Sequence, residues 1–219
     1  MDNKIETLKD ALVEVRKAHR LVESFQERML SLVNFIATRL DFHQMEGVKH
    51  FSNPVYPYKG GDHLKVNPRN WAWDYLYPYL FEYYVGDAEL EDGSTIMLSI
   101  IQYADTGYFD NDNEDRTQPS LFAPPEKAGS KLLFFMERKP KGCKELWSDY
   151  SYTAHYVLNK EYGSISHKET VLEPKGAGKN QLLLYSLPLE RFADEKTSIS
   201  ALKDYLKFLE KNGISRTIV

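Results

Sequence analysis

Glu137 and Lys139 stand two residues apart at the end of the apolar run Leu132-Leu133-Phe134-Phe135-Met136. On a strand that spacing puts the carboxylate and the amine on one face. Such a pair either does chemistry there or is the solvated exit of a buried strand. Three other stretches have the composition of a reactive or ligand-binding site. Asp110-Asn111-Asp112-Asn113-Glu114-Asp115 opens like a calcium loop, but Asp115 stands where the turn needs Gly and Leu121 where a bidentate Glu belongs, so an EF-hand is excluded. Lys175-Gly176-Ala177-Gly178-Lys179 has the composition of a phosphate loop, yet Glu173 and Asn180 replace the required Gly and Ser/Thr, leaving a hairpin turn. Cys143 lies in the lysine-rich turn KGCKEL, but with one cysteine and no paired histidine in view it is not expected to act as a nucleophile. The six histidines show no metal-binding spacing, and His43, His50 and His63 are loop residues around the exit of the first helix.

The Glu-x-Lys pair, taken with an upstream Asp, resembles the core of the PD-(D/E)xK nucleases. The resemblance covers those residues only. It implies carboxylates that hold a divalent ion and a lysine that assists the attacking water, with Glu137 and Lys139 in those roles and Asp105 or Asp110 as the remaining acid. No Pro-Asp precedes the strand, which departs from the family pattern. A divalent metal enters only with this reading. Otherwise no cofactor is expected.

Between Trp71 and Tyr83 an aromatic recurs at every second residue, while Trp71, Tyr75, Tyr79 and Tyr83 also fall four apart. Exposed, Trp71, Tyr75 and Tyr79 would form a stacking surface for single-stranded nucleic acid, with Lys59, Lys65 and Arg69 near enough for phosphates. Buried, they are an aromatic core. Pro78 divides the run into a short helix ending about Leu76, begun by Asn67 and Pro68, and a strand from Tyr79 to Val85.

The elements that must position these groups are led by a heptad pattern. Ile5, Leu8, Leu12, Val15, Val22, Met29, Val33, Ile36 and Leu40 keep one phase, interrupted only by His19 and Gln26 and free of Pro and Gly. A single long helix follows. Ile5 to Ala18 has a narrow apolar stripe among charges, the mark of an exposed seam, whereas Phe25, Leu30, Leu32 and Phe35 widen the stripe so that Leu21 to Leu40 packs on its own body. Thirty-six helical residues span about 54 Å, against about 40 Å for a globule of the remaining chain. Part of the helix should therefore project. His19 and Gln26 on the seam would fix its register, and a histidine there would make association respond to mild acid.

Downstream the pattern is β. Thr95 to Tyr103, Lys131 to Arg138, Tyr152 to Asn159, Ser164 to Leu172 and Gln181 to Leu187 read as strands, with a turn from Gly86 to Gly93 and a polar, acidic loop at 105–129. Thr197 or Ser198 caps a last helix that Gly213 ends. The expected class is α+β: a long N-terminal helix, a mostly antiparallel sheet of about five or six strands and a C-terminal helix. Residues 1–43 form the helix for oligomerisation or docking, and 44–219 the α+β domain.

A chain of 219 residues with 42% hydrophobic content can bury an ordinary core without staples. One cysteine permits no internal disulfide, no run is apolar enough to cross a membrane, and no leader precedes the charged start, so a cytoplasmic setting is expected. The net charge of −4 argues against a general polyanion binder. From Gly86 to Glu126 ten acids face the lone Arg116, followed by a mildly basic segment to Lys179. Two functions are expected from this. The first is a non-catalytic interaction or adaptor protein that homo-oligomerises through the seam Ile5, Leu8, Leu12, Val15, His19, Val22 and Gln26 and presents its acidic or aromatic surface to a protein partner. The second is the metal-dependent nuclease, with single-strand nucleic-acid binding through the aromatic run as a weaker option.

Overall fold

The computed structural model describes residues 7–43, 46–49, 80–108, 122–143, 169–172 and 180–219. Helix α1 runs Leu8–Arg39, its 32 residues spanning about 48 Å. Thr7 caps its start by accepting a hydrogen bond from the Asp10 backbone N–H, which satisfies one of the donors a helix N-terminus leaves open. Asp41 then turns the chain at φ +57°.

Among the described residues six strands follow: β1 Glu46–Lys49, β2 Leu80–Glu89, β3 Thr95–Tyr103, β4 Lys131–Lys139, β5 Glu169–Leu172 and β6 Gln181–Pro188. They form one antiparallel sheet in the order β1-β2-β3-β4-β6-β5, so β1 to β4 make a meander and β5 pairs outside β6. Helix α2, Glu195–Lys211, closes the described fold. The architecture is α+β, as the patterning predicts. No helix among the described residues is long and apolar enough to cross a membrane.

Two boundaries differ from the sequence expectation, and β1 lies where an irregular connection is expected. Gly86 does not open a turn: it sits at φ +126° beside a bulge at Val85, where the pairing steps from Tyr84–Ser99 to Gly86–Leu98, and β2 continues to Glu89. The turn comes later, where Leu90 and Ser94 close on each other and Gly93 takes φ +75°. Helix α2 is capped by Asp194 rather than by Thr197 or Ser198. Thr197 instead completes a capping box three residues on. Gly213 ends the helix as expected, at φ +77°. The expected helix ending near Leu76 and the expected strand Tyr152 to Asn159 lie outside the described residues.

Both helices pack on one sheet face. Met29, Val33, Ile36 and Leu40 of α1 and Leu202, Tyr205 and Leu209 of α2 join Val85, Leu98, Phe134 and Tyr185 in a single core. The opposite face also buries apolar side chains, among them Met97, Ile101, Leu133, Phe135 and Leu184.

Candidate functional site

The seam residues divide at Gln26. In the second half of α1, Met29 and Leu40 are 2% exposed and Val33 and Ile36 fully buried. On the same stripe and in the same phase, Leu8 is 76%, Leu12 46%, Val15 50% and Val22 43% exposed. His19 is exposed as well, and Ile5 lies outside the described residues. The projecting residues Leu8 to Ser24 span about 26 Å. A helix needs an apolar stripe only where something covers it. Here the stripe outruns the sheet by four to five turns. Leu21 at 72% is exposed at a c position on the outer face of the helix, and Leu30 at 46% at an e position beside the packed half.

Gln26 marks where the body begins. Its Nε2 donates to the Tyr83 hydroxyl at 2.7 Å, the hydroxyl donates to Gln102 Oε1 at 2.8 Å, and Gln102 Nε2 donates back to Gln26 Oε1 at 3.1 Å. This closed ring ties α1 to β2 and β3. The seam role expected of Gln26 is therefore shared with an intramolecular one: it is half-buried against its own sheet. Burial pushes the Tyr83 phenol up to about 12, with the Gln26 hydrogen bond opposing the shift. The sequence carries no signal for the ring, because Gln26 lies 57 and 76 positions from its partners.

The nuclease constellation does not assemble among the described residues. Glu137 pairs across the sheet with Met97 and Leu182, is 1% exposed, and accepts a hydrogen bond from Asn180 Nδ2. Lys139 shares its face at the end of β4, as the spacing requires. Asp105, however, follows Tyr103, which pairs with Lys131 at the other end of β4. Six residues of strand, roughly 20 Å, separate the two carboxylates, so Asp105 and Glu137 cannot hold one ion. Asp105 instead accepts the Gly107 backbone N–H at 2.8 Å. Asp110 lies outside the described residues, as do Trp71, Tyr75 and Tyr79. Among the described residues no three His, Cys, Asp or Glu side chains are grouped to bind a metal. Cys143 Sγ meets Asn180 Oδ1 at 3.5 Å, beside the Glu137 pairing.

A cavity of about 450 Å³ opens between the turn after β2 and the chain's last residues, lined by Asp41, Glu89, Glu91, Asp92 and Arg216 among others. Asp92 and Arg216 serve the fold there. Arg138 pairs with Asp92, and Arg216 donates to the Leu40 carbonyl at 2.6 Å while lying over the Phe42 ring. No comparable internal use engages Leu8, Leu12, Val15 or Val22, which leaves the projecting half of α1 as the candidate site.

A family model described as PM0109 matches residues 5–213. No curated protein and no solved structure matches the chain.

Proposed function

The chain belongs to the PM0109 family, a description that carries no activity, and from the geometry of α1 we propose a non-catalytic interaction protein that self-associates through this helix. One observation carries the reading. A single heptad stripe is buried at Met29, Val33, Ile36 and Leu40 and exposed at Leu8, Leu12, Val15 and Val22. Contiguous apolar surface of this kind on a charged helix is the mark of an interface. A second copy of the chain is the occupant whose stripe has the same heptad spacing. A cytoplasmic setting belongs to the same reading, since the lone Cys143 forms no intramolecular disulfide.

The test is a light-scattering mass for the intact protein and for the Leu12→Asp/Val15→Asp variant. Self-association predicts an oligomer that the variant reduces to a monomer. Its unfolding midpoint should stay unchanged at protein concentrations where wild type is also monomeric, because both side chains are half-exposed in the single chain. A wild-type protein that is monomeric throughout overturns the proposal.

A further inference from the structure

We propose, building on that self-association, that two copies pair their projecting helices antiparallel, in the one register that sets Leu12 against the partner's Val22 and Val15 against the partner's His19. Three independent features of the chain carry this.

The first is steric. Near its C-terminal end the stripe already faces the protein's own sheet, from Gln26 onward. In a parallel pair the two stripes would face each other along their whole length. Both sheets would then lie between helices that must approach to about 8–10 Å in the seam. Stacked layers are about 10 Å apart, so two intervening sheets would force the helices to roughly 30 Å. Antiparallel helices avoid this, because each body sits beyond the other helix's N-terminal end.

The second is length. Helix α1 begins at Leu8, and the body begins to cover it at Gln26. Opposing Leu8 to the partner's Gln26 covers the exposed stripe in full and stops each helix at the other's sheet. The heptad phase agrees. Leu8, Val15 and Val22 occupy d positions and Leu12, His19 and Gln26 occupy a positions. An antiparallel pair matches a with d, and in this register every layer does so. The next registers that keep the phase lie seven residues away. One drives the helix start into the sheet, and the other leaves part of the seam uncovered.

The third is charge. The residues flanking the seam at e positions are Lys9, Arg16 and Glu23. Antiparallel pairing in this register brings Lys9 to the partner's Glu23 twice and sets Arg16 against the partner's Arg16 across the two-fold axis, so two attractive pairs stand against one repulsive pair. Moving seven residues outward would instead oppose Lys9 to the partner's Arg16. A parallel pair would set Arg16 and Glu23 beside the partner's Ala11 and Ala18, with no charge pairing.

Cysteine cross-linking in a Cys143→Ser background reads the arrangement directly. Leu12→Cys/Val22→Cys should form disulfide-linked dimers on mild oxidation, while Leu12→Cys alone and Val22→Cys alone should not, because each lies about 15 Å along the axis from its own copy. Charge reversal gives a second readout. Lys9→Glu and Glu23→Lys should each weaken dimerisation about tenfold, and the combined variant should restore it. Efficient linking by either single cysteine, or no rescue by the combined reversal in a protein that is dimeric, overturns the antiparallel register while leaving self-association intact. A monomeric wild-type mass overturns both.

Discussion

Tyr83 is a large side chain, 1% exposed, with a polar end that must be satisfied inside the protein. Gln26 and Gln102 satisfy it by each donating once and accepting once around the ring. Tyr83→Phe keeps the packing and removes the shared hydroxyl, so it should destabilise the fold by about 1 kcal/mol in denaturant unfolding, without changing oligomer mass. The exposed carboxylate Asp92 shows the opposite electrostatic situation. Hydrogen bonds from the Ser94 hydroxyl and backbone, then the Arg138 guanidinium, hold its carboxyl at about 2, below the ordinary 3.8. A carboxylate depressed by folding stabilises in full above its ordinary value, and that contribution is lost as pH falls through the depressed one. Thermal melts should therefore lose stability more steeply between about pH 4 and pH 2 in wild type than in Asp92→Asn; identical acid limbs would exclude the contact. Glu137 makes a further point at this scale. Its spacing from Lys139 was legible, but its burial against Asn180 depended on a chain segment 43 positions away.

Local sequence placed the three central strands β3, β4 and β6 within a residue, because apolar periodicity is a local property. It predicted β3 in full as Thr95 to Tyr103, and came within one residue of β4 and β6. It missed β1 altogether, and misplaced the end of β2 and the start of α2. Gly86 offers a turn and a bulge equally well, and only the pairing of Asp87 with Met97 and Glu89 with Thr95 selects the bulge. Asp194, Thr197 and Ser198 are all good caps, and the choice falls to Asp194 because the 3₁₀ turn Leu189–Phe192 delivers the chain to the sheet face at that point. Asp194 accepts the Thr197 backbone N–H at 2.8 Å, while the Thr197 hydroxyl accepts the Asp194 N–H in return. Replacing Asp194 with Ala should cost about 1 kcal/mol in chemical denaturation, and Thr197→Ala should cost less because the Asp194 carboxylate keeps its bond.

At the scale of the molecule, one layer of two helices covers one face of a six-stranded sheet, and its centre is aromatic. Phe134 packs against the tilted Tyr205 ring at 4.6 Å between centroids and stacks on Phe192 at 6.3 Å, so Phe134→Ala should cost about 3–5 kcal/mol and lower the melting temperature sharply. A loss below about 1 kcal/mol would mean that the helices do not rest on this cluster. The amino-acid sequence by itself determined the α+β class, the long helix and its division into a packed and a projecting half, since each follows from the spacing of apolar residues along a few turns, although packing begins at Phe25 and not at the expected Leu21. Tertiary structure alone decided that Asp105 and Glu137 stand at opposite ends of a strand pair, that Gln26 closes a ring with Tyr83 and Gln102, and that the sheet occupies the face a parallel partner would need. Those are relations between segments tens of residues apart, fixed by strand order and register, and no local pattern encodes them.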